Sequence, residues 1–314
     1  MQKIAGNFKG KSILSIDQFS DEDIQLLFNE ANTMASRDNN RKQLANQQGR
    51  IITNLFYEAS TRTSSSFEAA MKRLGGEVLS ITNVNYSSVS KGESLGDTVR
   101  TLAQYSDAIV LRHSQQGAAI EADRFAGKPI INAGDGAGEH PTQAILDLYT
   151  IQKEQGRLDG LKVALVGDLQ YGRTVHSLAK LLSGYNTELT YIAPEGFCMP
   201  EDITDVVSQK GSKQRRATKL QDCVAEQDVV YMTRIQTERI TDPLPNIETL
   251  QADYRVTPSI MDLMNESASL MHPLPRVGEI DPAVDNDPRA AYFRQVQNGL
   301  HIRMALLNLV LGHK

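Results

Sequence analysis

Three hydroxyl residues and an arginine crowd into Ser60-Thr61-Arg62-Thr63, just after the segment Phe56-Tyr57-Glu58-Ala59. A strand that turns into a helix here offers backbone N–H groups and the positive end of a helix dipole, which favour an anion. The hydroxyls of Ser60, Thr61 and Thr63 add donors, and Arg62 adds a guanidinium fork suited to phosphate. A Ser/Thr helix cap followed by a solvent-facing arginine accounts for the same residues. A second segment, Gly167–Thr174, follows the apolar run Val163–Val166 and fits G-x-x-x-x-G-K-[ST], except that Arg173 stands for lysine. A planar guanidinium does not replace the slim lysine of a phosphate loop. No later apolar run ends in the aspartate that a Mg²⁺ site would want, because Val229–Met232 leads into Thr233-Arg234.

Three further segments carry polar groups at element ends. In Gly138-Glu139-His140-Pro141-Thr142-Gln143, Pro141 suits a first helical turn, so His140 and Gln143 share one end of a helix. A lone histidine of this kind is more often structural. Ser87, Ser88, Ser90, Lys91 and Glu93 read locally as a solvated loop. Arg234 and Gln236 follow one strand, and Met271-His272-Pro273-Leu274-Pro275-Arg276 follows another. The prolines there fix the backbone, either to aim carbonyls at a ligand or simply to close a loop.

The elements that position these residues follow from hydrophobic pattern and punctuation. A helix is predicted over Asp21–Ser36, with Ser20 as N-cap and Asp23 three residues on. Strands are expected at Ile51–Tyr57, Val78–Thr82 and Ala108–Arg112, with helices at Thr63–Leu74, Leu95–Tyr105 and Pro141–Gln152. After a break at Gly156–Gly160 the rhythm restarts: strand Lys162–Val166, helix Thr174–Leu182, strand Leu189–Ile192. Ile203–Lys210, Leu220–Ala225, Val229–Met232 and Leu270–Met271 continue the alternation, and Ala290–Leu311 closes it as a long helix. Such alternation implies two parallel α/β units dividing near residues 135–160, with ligands at the carboxyl ends of strands.

Composition narrows the function class. The chain has 314 residues, enough for two domains. No apolar run exceeds four residues, so no membrane-spanning helix is expected. Met1–Lys11 lacks the apolar core of a secretory signal, which leads to the expectation of a cytoplasmic enzyme. A net charge of −5 argues against a general nucleic-acid surface. Cys198 and Cys223 form no C-x-x-C motif, and no histidines show H-E-x-x-H spacing.

Taken together, Ser60-Thr61-Arg62-Thr63, His140-Pro141-Thr142-Gln143, Gly172-Arg173-Thr174, Thr233-Arg234-Ile235-Gln236 and His272-Pro273-Leu274-Pro275 resemble the aspartate transcarbamoylase family. Ser60–Leu74 and Asp287–Leu307 are similar to the transcarbamoylase domain of the animal multifunctional pyrimidine enzyme. Ser64, where many bacterial relatives have arginine, is shared with that group. The resemblance implies two doubly wound parallel-sheet α/β domains with an active-site cleft between them. Residues 1-139 would bind carbamoyl phosphate, with the helix 290-314 packing back on them, and residues 140-289 would bind aspartate.

The reaction so implied moves a carbamoyl group from carbamoyl phosphate to L-aspartate, an early step of pyrimidine synthesis, with neither metal nor organic cofactor. By resemblance Ser60, Thr61, Arg62 and Thr63 hold phosphate, while Thr63, Arg112, His140 and Gln143 address the carbamoyl group. Arg62, Thr63, Arg112 and His140 would be catalytic. Arg173, Arg234 and Gln236 would hold the aspartate carboxylates, with Leu274 and Pro275 at its amine. Ser87 and Lys91 would come from a neighbouring subunit of a homotrimer with shared active sites, and Lys91 would also face aspartate. Regulatory chains or other pathway enzymes are possible partners; nucleic acid and membrane are not expected. An ornithine-specific relative would show H-C-L-P at 272–275 and would set Arg173 and Arg234 against a cationic substrate. An inactive binding or scaffold relative would lack an arginine or histidine of the phosphate site, and none is missing.

Overall fold

The computed structural model describes residues 1–39, 44–81, 91–235 and 254–312; Thr82, Ser87, Ser88, Ser90 and Gln236 lie outside the described residues. The chain forms two compact units, Met1–Leu146 with Gln297–Lys314, and Asp147–Val296. Each contains a sheet whose strands all pair in parallel.

In the first unit, helix α1 (Asp21–Asn39) starts at the expected cap. The Ser20 hydroxyl accepts the Asp23 N–H at 3.2 Å, and the Asp23 carboxylate accepts the Ser20 N–H at 2.9 Å. Strands β1 (Ile51–Phe56), β2 (Glu77–Ile81), β3 (Ala108–His113) and β4 (Ile130–Asp135) lie in the order β2-β1-β3-β4. Helices α2 (Thr61–Arg73), α3 (Leu95–Leu102) and α4 (Ala118–Ala126) supply the crossovers that parallel pairing demands. The first turns of α2, rich in Ser and Thr, cost roughly 2–3 kcal/mol against alanine. Phe67, Met71 and Leu74 are fully buried, at about 1.5–3 kcal/mol each, so packing rather than propensity makes this helix. The terminal helix Tyr292–Leu311 braces it, with Arg303 donating to Ser66 Oγ at 3.0 Å and lying 5.2 Å from the Phe67 ring centre.

The second unit holds β5 (Lys162–Val166), β6 (Glu188–Ile192), β7 (Lys213–Ala217), β8 (Val229–Met232) and β9 (Ser269–Met271), ordered β7-β6-β5-β8-β9. Helix α5 (Pro141–Gln155) precedes β5, and α6 (Arg173–Leu182) and α7 (Glu201–Gln209) connect β5, β6 and β7. β5 and β8 are apolar and almost wholly buried, as parallel strands covered on both faces must be. Val166, Ile192, Val230, Met232 and Leu270 pack into one core cluster there.

Several elements depart from the sequence expectation. Helix α2 begins at Thr61, two residues early, because Ser60 takes the cap position with extended φ of −154°. Helix α3 ends at Leu102 rather than Tyr105. Leu220–Ala225 forms only short 3-10 turns. Helix α4, strands β4 and β7, and the short helix Pro258–Leu263 were not expected at all. Among the described residues no helix is long and apolar enough to cross a membrane.

Candidate active site

In each sheet the chain leaves one central strand in opposite directions, and that divergence opens a crevice at the strands' carboxyl ends. In the first unit the divergence lies between β1 and β3. Ser60–Thr63 follow β1 after three residues, and Arg112 sits on β3 opposite Phe56, with the Tyr57 N–H donating to the Arg112 carbonyl at 2.8 Å. The first bond of α2 runs from the Ser64 N–H to the Ser60 carbonyl at 3.1 Å, so the preceding N–H groups point off the helix end. Ser60 caps α2 by position only, and its hydroxyl makes no cap hydrogen bond. The simple capping explanation of this motif therefore does not describe Ser60. Thr63 is buried and Arg62 reaches solvent, yet desolvation by the surrounding protein draws the guanidinium below its ordinary pKa. At neutral pH it stays charged.

Arg112 is mostly buried, donates from Nη1 to the Ala133 carbonyl at 3.2 Å, and lies 3.4 Å from the Glu58 carboxylate. Glu58 was absent from the sequence-based set; its signal was a carboxylate inside the strand–helix turn. Beside it the Tyr57 and His113 rings pack at 4.5 Å. Burial lowers the His113 pKa, and its Nδ1 accepts the Gln115 N–H at 3.0 Å.

His140 is delivered by a locked loop after β4. The Asp135 carboxylate accepts the Glu139 N–H at 2.7 Å and the Gly117 N–H at 2.9 Å. Glu139 in turn accepts from Ser15 Oγ at 2.7 Å and the Ile16 N–H at 2.9 Å. Gly136 has φ +65° and no room for a Cβ, which would sit 2.0 Å from the Ser114 carbonyl. His140 is 4% exposed, directly before α5, and its carbonyl accepts the Gln143 N–H at 3.0 Å. Gln143 is half-buried, and Lys91 is exposed at the edge of the described segment.

In the second unit the divergence lies between β5 and β8. Arg173 is the first residue of α6, and Arg234 follows β8 by two residues; both are half-buried. The two loops meet at Gly167, where the Thr233 hydroxyl and N–H each donate to the Val166 carbonyl at 2.8 Å. The loop Gly167–Gly172 is closed by the buried Asp168, whose Oδ1 accepts the Tyr171 N–H at 2.9 Å. A carboxylate taking a loop N–H sits where a phosphate loop would present its donors, which opposes reading Gly167–Thr174 as a phosphate loop.

After β9, the His272 ring sets the next loop. Its Nδ1 accepts the Leu274 N–H at 2.8 Å, so Nε2 carries the proton shared with Glu279 at 2.7 Å. Leu274 adopts φ +56° and precedes the cis peptide bond to Pro275. Among the described residues no group of three or more His, Cys, Asp or Glu has metal-binding geometry.

Arginines stand at the divergence points of both parallel sheets, a placement that suits a protein handling anionic small molecules. The chain belongs to the aspartate/ornithine carbamoyltransferase family: the profile of its carbamoyl-P binding domain matches residues 11–153, and that of its Asp/Orn binding domain matches residues 159–310. It is 48% identical over 305 residues to the aspartate carbamoyltransferase catalytic subunit of Thermococcus onnurineus, covering 97% of this chain and 98% of that one. It is 47% identical to the multifunctional protein CAD of Squalus acanthias, covering 97% of this chain but 14% of that protein. Aspartate transcarbamoylase of Trypanosoma cruzi in complex with N-(phosphonacetyl)-L-aspartic acid superposes with TM-score 0.93 at 46% identity, covering 97% of each chain. The same enzyme in complex with carbamoyl phosphate and aspartate also gives 0.93, covering 99% of each chain.

Proposed function

We propose that the chain is an aspartate carbamoyltransferase, converting carbamoyl phosphate and L-aspartate to N-carbamoyl-L-aspartate and phosphate in pyrimidine synthesis. The observation that carries this reading is the placement of one arginine set at each sheet's divergence point, within a family whose relatives bear that name. Residues 1-139 with 290-314 bind carbamoyl phosphate in this account, and residues 140-289 bind aspartate. Ser60, Thr61, Arg62 and Thr63 grip the phosphate at the start of α2. Thr63, Arg112 and His140 surround the carbamoyl oxygen, with Gln143 at its amide. Arg173, Arg234 and Gln236 pair with the two carboxylates, and the Leu274 carbonyl, with Pro275 behind it, orients the amine.

The aspartate amine attacks the carbamoyl carbon, and the carbonyl oxygen gains charge that Thr63, Arg112 and His140 stabilise. The carbon–oxygen bond to phosphate then breaks, Arg62 neutralises the departing phosphate, and a phosphate oxygen accepts the amine proton. No covalent enzyme intermediate forms; positioning and electrostatics carry the rate. The enzyme works in this account as a cytoplasmic homotrimer in which Ser87 and Lys91 reach a neighbour's site. The similarity to multifunctional proteins supports association with other pathway enzymes.

Calorimetric titration tests the pairing of the two substrates. N-(phosphonacetyl)-L-aspartate should bind roughly a hundredfold or more tighter than the same phosphonate lacking its aspartate part. Equal affinity for the two compounds would refute the reading.

A further inference from the structure

A buried carboxylate in the second unit ties together the supports of its proposed substrate-binding residues. Asp147 on α5 is 0% exposed; its Oδ2 accepts the Tyr231 hydroxyl at 2.6 Å, and its Oδ1 accepts Gln295 Nε2 at 2.6 Å. Gln295 Oε1 accepts the His272 N–H at 3.0 Å, and the His272 ring sets the Leu274 backbone as described above. Tyr231 lies on β8, three residues before Arg234. Burial first, and the Asp147 charge second, hold the Tyr231 phenol far above its ordinary pKa, so it stays a donor.

Burying an ionised carboxylate is expensive, and replacing a whole buried polar network by well-packed apolar side chains is often neutral or stabilising. A structural ledger alone thus gives no reason for the charge. Two carboxylate oxygens spaced by a fixed angle, however, impose direction on two donors at once. We infer that Asp147 is a positioning residue for the aspartate half of the reaction: through Tyr231 and Gln295 it fixes the loops presenting Arg234 and the Leu274 carbonyl to the substrate. This rests on the function proposed above.

The test uses the full-length chain with four variants: D147N, Q295E, Y231F and the double variant D147N/Q295E. Q295E sets two carboxylates face to face, and D147N sets two amides face to face where one donor had met one acceptor. The double variant restores an amide–carboxylate pair with its direction reversed, and the substituted side chain at 295 still offers the His272 N–H an acceptor. Each single variant at 147 or 295 should raise the aspartate KM roughly tenfold or more, with carbamoyl phosphate affinity within about twofold of the parent. The double variant should recover most of that loss. Y231F, which deletes one oxygen, should raise the aspartate KM several-fold; it carries the test should D147N fail to fold. If Y231F leaves the aspartate KM unchanged, or the double variant is no better than the worse single one, the inference falls. It also falls if both substrates are affected equally, in step with lost thermal stability. A parent enzyme that forms no carbamoyl aspartate overturns the proposed function and this inference with it; an active parent with unresponsive variants overturns this inference alone.

Discussion

Gly167→Ala tests the claim that the loops after β5 and β8 must meet backbone to backbone. Gly167 has φ +108°, and an added Cβ would lie 2.4 Å from the Thr233 carbonyl oxygen and 2.7 Å from its hydroxyl. The left-handed backbone costs an L residue roughly 1–2 kcal/mol. Ordinary contact begins near 3.4 Å, so the strand ends must part by about 1 Å, and relief of such overlap costs a further 1–3 kcal/mol or so. The sum is roughly 2–5 kcal/mol of unfolding free energy. Gly196→Ala is the control, because Gly196 has φ +85° with nothing within 4 Å of its would-be Cβ. It should cost only the conformational part, about 1–2 kcal/mol. Urea titration gives the two stabilities, and steady-state kinetics gives the function. Because Thr233 precedes Arg234, a shift of about 1 Å should lower kcat/KM for aspartate by about a hundredfold in Gly167→Ala. Carbamoyl phosphate affinity should stay unchanged. Matching stability and aspartate kinetics in the two variants would refute the reasoning.

Arg234→Ala should raise the aspartate KM steeply, by a loss of about 3–5 kcal/mol if its carboxylate pair is buried, against under about 0.5 kcal/mol for a surface residue; varying each substrate in turn separates the two. Glu279 feels burial, which raises its pKa, but the His272 hydrogen bond and the Val277 N–H prevail and hold it below the ordinary 4.5. Its stabilising contribution is therefore present above about pH 4.5 and lost as pH falls through the folded-state value. Urea titrations across that range should show the gap between the parent and Glu279→Gln closing on the acid side, and a pH-independent gap would contradict the assignment. Mixing inactive Lys91→Ala with inactive Arg62→Ala should restore activity in hybrid trimers, since some sites regain both parent residues; properly mixed trimers without activity would count against a shared site.

Sequence legibility followed the strength of local signals. The Ser20–Asp23 box located α1, and the run Val163–Val166, with its two valines and the glycine that ends it, located β5. Strand β4 was missed because Ile130–Asp135 holds only two large apolar residues, Ile130 and Ile131, beside the small Ala133. Asn132 occupies a buried position and donates to the Leu14 carbonyl at 3.0 Å, so a tertiary contact does what hydrophobicity usually does. Lys213–Ala217 is an edge strand of charged residues, with no alternation to read. The glycines bracketing α4, Gly117 at φ +84° and Gly127 at φ +61°, were its available signal. At the site, the motif residues stand at strand–helix turns that the sequence punctuates clearly. Glu58 and Asp147 were not singled out, because their significance arises from partners distant in sequence or across a sheet.

Product formation tests the central claim most directly. Purified enzyme is incubated with carbamoyl phosphate and either L-aspartate or L-ornithine, and ureido product and phosphate are both quantified. The account predicts carbamoyl aspartate and phosphate in equal amounts with L-aspartate, and no product above the uncatalysed rate with L-ornithine. Citrulline formed at a comparable rate, or phosphate released without carbamoyl aspartate, would contradict it.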